Sequence, residues 1–97
     1  HDMRIKGFRL NASSNVTVTF SESGFFLILI NRSSIETRGI YFADTYITTT
    51  DRWTIYTVSA APDIIITTGA NTLNFANSSA TYYANIAIVS FSGSIMT

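Results

Sequence analysis

The chain contains no cysteine, which excludes disulfides and thiolate metal sites and leaves the redox compartment open. Its one histidine is His1. The opening His1-Asp2-Met3 reads as a cloning remnant, with residues 4–97 as one domain, so no Ser–His–Asp or Cys–His nucleophilic site is available to that domain. Charge is scarce: 12% of residues are ionic, about half the usual ~25%, and six basic residues balance six acidic ones. That neutrality gives no electrostatic footprint for nucleic acid or an anionic membrane. No apolar run approaches the ~20 residues of a membrane-spanning helix. Amphipathic helices are missing too, since no window repeats apolar residues at i, i+3, i+4 and i+7 between caps.

What remains is a chain of β-branched and aromatic residues, cut at fairly even spacing by short Ser, Thr, Asn and Gly clusters. That is the pattern of a small antiparallel sandwich or barrel of about eight strands. Ile5 to Leu10 reads as a first strand. Asn15 to Phe20 alternates, with Val16, Val18 and Phe20 inward and Thr17 and Thr19 outward. Ser21–Gly24 reads as a turn pairing that strand with the next in a hairpin. Thr37 to Ala43 follows as a strand in which Gly39 marks a bulge or a close backbone approach. Tyr46–Thr50 and Trp53–Val58 flank Asp51-Arg52 as a hairpin tip. Pro62 belongs to a connection, Gly69–Asn71 to a second hairpin turn, and Thr81 to Phe91 to a long final strand.

The organising stretch is Gly24-Phe-Phe-Leu-Ile-Leu-Ile30. Phe25, Leu27 and Leu29 share one face, and Phe26, Ile28 and Ile30 the other. A sheet with one wet side alternates apolar and polar residues, and this run does not. The last strand repeats the pattern, with Tyr82, Ala84, Ile86 and Ile88 on one face and Tyr83, Asn85, Ala87, Val89 and Phe91 on the other. Leaving Phe26, Ile28 and Ile30 in water would forgo roughly 5–9 kcal/mol of burial. Two solutions exist: contact with other chains through Phe26, Ile28, Ile30, Tyr82 and Tyr83, or closure of the subunit's own loops over the second face.

Five carboxylates, Glu22, Glu36, Asp44, Asp51 and Asp63, lie in or beside expected turns, where acids commonly bond local backbone. A glycosidase needs two of them flanking one bond, and nothing in the spacing marks a pair, so no catalytic residue is assigned. No dense Asp/Asn loop supports calcium, and neither metal nor cofactor is expected. The tip Asp51-Arg52-Trp53, with Tyr46 nearby, offers sugar-binding chemistry: an aromatic face for ring C–H groups beside charged groups for hydroxyls. The same tryptophan also fits a core position at the start of a strand. The Asn-X-Ser/Thr sequences at Asn11, Asn15, Asn31 and Asn77 follow from composition.

The succession Gly24-Phe-Phe-Leu-Ile-Leu-Ile30, Arg38-Gly-Ile-Tyr-Phe42, Asn71-Thr-Leu-Asn-Phe-Ala-Asn77 and a closing aromatic-apolar strand resembles the small C-terminal head domains of bacteriophage tail-fibre and baseplate proteins. The likeness covers most of the chain after Leu10, in texture and element order. It implies a compact β-sandwich of jelly-roll type and a homotrimer on the virion tail tip. It also implies a non-catalytic role in binding a cell-surface glycan or protein. A purely structural trimerisation or capping domain, and a monomeric carbohydrate-binding module of a secreted enzyme, fit the same residues.

Overall fold

The computed structural model describes residues 2–34, 38–46 and 53–97. Eight strands follow in order: β1 (Arg4–Leu10), β2 (Asn15–Thr19), β3 (Gly24–Arg32), β4 (Arg38–Thr45), β5 (Trp53–Ser59), β6 (Ile64–Thr68), β7 (Thr72–Asn77) and β8 (Ala84–Ser90). They form a five-stranded sheet ordered β1-β8-β3-β4-β5 and a three-stranded sheet ordered β2-β7-β6. Every pairing is antiparallel. The result is an all-β sandwich, and pairing the first strand with the last and the second with the seventh gives it a jelly-roll-like course.

The inner faces are built from one parity of each strand. β3 sends Phe26, Ile28 and Ile30 inward, and β8 sends Ala84, Ile86 and Ile88. They meet Val18 of β2 and Leu73 and Phe75 of β7 from the opposite sheet, all fully buried. Phe20 closes one end, its ring edge-on to Phe26 at 4.7 Å between centroids and to Trp53 at 5.1 Å. Phe8 meets Phe75 edge-on at 5.9 Å nearer the other end. Such pairs add ~0.5–1.5 kcal/mol beyond the area they bury.

The expected hairpin between β2 and β3 does not form. β2 lies in the small sheet beside β7, with Val16 opposite Phe75 and Val18 opposite Leu73. β3 lies in the large sheet, between β8 and β4. The chain crosses the sandwich at Ser21–Ser23, and the C-terminal segment secures the crossing: Thr19 and Thr97 exchange two backbone hydrogen bonds of 2.9 Å. The reason is geometric. Both neighbours of β3 are already taken, so the apolar side of β2 meets β3 face to face across the core rather than edge to edge.

Two glycines are dictated by space. Gly24 has φ of 147°, and a Cβ there would run into the Ser92 hydroxyl. At Gly39 a Cβ would stand 2.7 Å from Cβ of Ala61 and 3.0 Å from that of Ile30. The missing side chain lets the β5–β6 connection, which holds Pro62, close onto β4, where the Tyr41 hydroxyl accepts the Ala61 amide at 2.7 Å. Of the two expectations for Gly39 the close approach is the one met; the β4–β5 register shifts one step on, between Ile40 and Tyr41, and the extra residue there is Val58 of β5. The Gly69–Asn71 hairpin forms between β6 and β7. The final strand starts at Ala84 rather than Thr81. β5, expected to pair with Tyr46–Thr50 across Asp51-Arg52, pairs instead with β4, Thr45 standing opposite Trp53 as the last described pair; residues 47–52 lie outside the described residues.

The other end of the core is closed by a buried amide. Asn77 turns its side-chain NH2 to the carbonyl of Tyr82 at 2.8 Å and towards those of Leu10 and Asn11, both at 3.4 Å. Its Oδ1 accepts the Ser79 amide at 3.0 Å. One side chain thus ties two connections together. Replacing Asn77 by Ala leaves these groups unpartnered in a water-poor site and is expected to lower stability by about 2–3 kcal/mol, read from urea denaturation at unchanged m-value. Ile28→Asp, which buries an unpaired carboxylate in the core, is expected to abolish cooperative unfolding altogether.

Candidate functional site

Of the residues expected to contact a ligand, Asp51 and Arg52 lie outside the described residues. Trp53 opens β5 and turns into the sandwich, as a core tryptophan would. Its ring packs against Phe20 and Phe26, and its indole N–H donates to the Gly69 carbonyl at 2.9 Å. The hydrogen bond fixes the ring's orientation and satisfies its one donor. Tyr46, just beyond β4, is exposed. Of the two described candidates, Tyr46 thus faces outward and Trp53 is committed to packing.

Phe26, Ile28 and Ile30, expected at a contact between chains, are buried in the subunit's own core. That expectation is corrected: the three-stranded sheet already covers this side of β3. Its other side is the one left open. Tyr82 is 37% exposed, and the Arg32 guanidinium lies 4.8 Å from its ring centroid. Arg32 is also ion-paired with Asp63, so the β3 end, the β5–β6 connection and the β7–β8 connection are joined. Arg9 stacks on Tyr83 at 3.9 Å. Both tyrosines are thus held by cation–π contacts at the end of the sandwich away from Trp53.

The outer faces of the two sheets differ in kind. The small sheet shows Thr17, Thr67, Asn15 and Asn74 to solvent, with Asn74 Nδ2 donating to Thr17 Oγ1 at 2.7 Å and to Asn15 Oδ1 at 3.3 Å. Ile65 is the apolar exception. The large sheet shows the reverse. Register places Ile5, Val89, Leu27, Phe42 and Tyr56 in one row that takes a residue from each of its five strands. Ile5 is 68% exposed, Tyr56 56% and Phe42 46%. A second row, Gly7, Ala87, Leu29 and Ile40, runs beside it. Beyond that comes a polar row, Arg9, Asn85, Asn31 and Arg38. On the far side Phe25, 62% exposed, stands opposite Asp44. A depression of about 340 Å³ opens between Leu29, Ile40, Ala87, Asn31, Arg38 and Asn85.

These outer residues are the ones sequence reasoning passed over. A signal was present: the parity holding Phe25, Leu27 and Leu29 continues to Asn31, and that holding Ala87 and Val89 begins at Asn85. A face that ends on asparagines is the face that reaches water.

The described acidic residues are dispersed. Asp63 is spent on Arg32, Asp44 stands between Phe25 and Thr54 on the large sheet, and the Glu22 amide is tied to the Ser94 hydroxyl at 3.1 Å. Among the described residues no three His, Cys, Asp or Glu side chains gather as metal ligands.

The fold and this surface define an antiparallel β-sandwich with one wet and one apolar outer face, and a tailspike contains a fold of this kind. The crystal structure of tailspike protein gp49 from Acinetobacter baumannii bacteriophage Fri1, a capsular polysaccharide depolymerase, matches 98% of this chain with a TM-score of 0.56 at 14% sequence identity. The matched portion is 18% of that tailspike chain. No protein-family profile matches the sequence, and no curated protein is similar to it.

Trp53→Ala is expected to cost about 3–4 kcal/mol in chemical denaturation, because it empties a site between Phe20 and Phe26. Tyr46→Ala is expected to stay within about 0.5 kcal/mol of the parent.

Proposed function

We propose that this domain is a non-catalytic module of a phage tail protein, carried on the virion tail, that assembles as a homotrimer and binds a cell-surface glycan or protein. The observation that carries the reading is the match of almost the whole chain to a small part of a tailspike. A domain that corresponds to a fraction of such a chain works as one piece of a longer protein. The non-catalytic part of the reading is supported by Asp63, whose carboxylate is engaged by Arg32. Assembly is supported by the apolar outer face of the large sheet, where exposed Ile5, Phe42 and Tyr56 stand in one row from edge strand to edge strand.

A second reading, a capping or trimerisation domain with no ligand of its own, is favoured by one observation: Trp53, the best sugar-stacking candidate, is packed inward.

Binding of the labelled chain to a panel of encapsulated bacteria and to a glycan array separates the two. The receptor reading expects saturable binding to a subset of strains, weakened by Tyr46→Ala or by removal of the surface polysaccharide. Trp53→Phe, which keeps the packing, should leave folding intact and serves as the control. No binding to any cell or saccharide by a folded, assembled chain would reject the receptor reading and leave the capping one. Release of new reducing ends from a bound polysaccharide would overturn the non-catalytic assignment.

A further inference from the structure

We infer that the outer face of the five-stranded sheet is covered by the same face of further copies of this chain. This rests on the self-assembling part of the proposed function and names the surface for it. The first argument is width. The apolar row from Ile5 to Tyr56 runs from one edge strand to the other, so its cover must span four inter-strand spacings, roughly 20 Å. A helix with its side chains is ~10–12 Å across and would leave half the row wet. Sheets of the same five-strand width, each copy turning this face toward a shared axis, cover one another along the whole row.

Area agrees. The rows from Phe25 to Asn31 are three two-residue steps apart, roughly 20 Å, which makes the face on the order of 400 Å² in projection. Side-chain relief raises that towards the ~600 Å² per partner at which stable specific interfaces begin. Layout agrees as well. Large side chains fill the row holding Phe42 and Tyr56, smaller ones the row holding Gly7 and Ala87, and a depression lies between Leu29 and Ile40. Copies of one face therefore bring both knobs and hollows. Arg9, Asn31, Arg38 and Asn85 stand along one end, where a polar rim belongs. The outer face of the small sheet, covered in Thr and Asn, offers none of this.

The test is sedimentation of the full chain at micromolar concentration, with Phe42→Asp as the surface variant and Ile65→Asp on the small sheet as control. The parent and Ile65→Asp are expected to sediment as one multimer. Phe42→Asp should keep its circular dichroism and associate about 100-fold more weakly. Because the chain is free of cysteine, single thiols give a second readout that does not depend on that variant folding. Tyr56→Cys should react with a thiol reagent at least about tenfold more slowly than Thr67→Cys, and the gap should close on dilution. A monomeric parent overturns the inference. So does a multimer whose mass ignores Phe42→Asp, or one in which the Tyr56→Cys and Thr67→Cys variants label alike. Cell binding is scored separately. A parent that binds cells as a monomer defeats this surface and the assembly reading but not the receptor reading, and a multimer that binds none defeats only the receptor reading.

Discussion

The fold depends on the contact between the inner side of β3 and β8 and the three-stranded sheet laid across it. β3 is hydrogen-bonded on both edges, to β8 and β4, so its side chains can only be covered through its faces. Phe26, Ile28 and Ile30 take the inward side and are enclosed with Phe20, Leu73 and Phe75. Each fully buried side chain of this size is worth roughly 1.5–3 kcal/mol, against a total domain stability of ~5–15 kcal/mol, so a few of them decide whether the chain folds. The rest of the structure follows: the crossing at Ser21–Ser23 that puts β2 opposite β3, the C-terminal segment that secures it, and the absent side chain at Gly39 that lets the β5–β6 connection close.

A two-sheet sandwich has two inner faces and two outer ones, and this chain carries apolar residues enough for three. The outer face of the small sheet is short, neutral and polar, held by Asn74 with Thr17 and Asn15. The outer face of the large sheet carries rows as apolar as a core. The proposed assembly rests on that asymmetry. It also separates two roles that the sequence leaves mixed. Trp53 and its neighbours Phe20 and Phe26 stabilise, while the exposed aromatic surface of Phe25, Phe42 and Tyr56 is free to make contacts.

Much of the strand pattern is legible because alternation in β2 and the turn cluster at Gly69–Asn71 act locally. The hairpin from β2 to β3 is misread because a four-residue polar turn looks the same whether the chain reverses beside itself or crosses to another sheet. Only the identity of the partner, β7 from more than fifty positions onward, separates the two. The inward parity of β3 shows only at the strand's end, where Asn31 continues the outer side. Phe-Phe-Leu-Ile-Leu-Ile is symmetric in hydrophobicity, so nothing within the run says which side meets the small sheet. The tip around Trp53 is ambiguous for a different reason: an indole suits a core and a sugar equally well, and its hydrogen bond to Gly69 arises only once β6 and β7 are in place.

By itself the sequence determined an all-β chain without disulfides, with a neutral polar surface and with two strands too apolar for a single wet side. These properties follow from residue type and a two-residue period, which need no partner strand to be read. Tertiary structure alone decided which sheet covered the inner side of β3 and β8, that β2 joined the other sheet, and that Trp53 faced inward. Each of these turns on which surface arrives to exclude water, and that surface comes from residues far away in the chain.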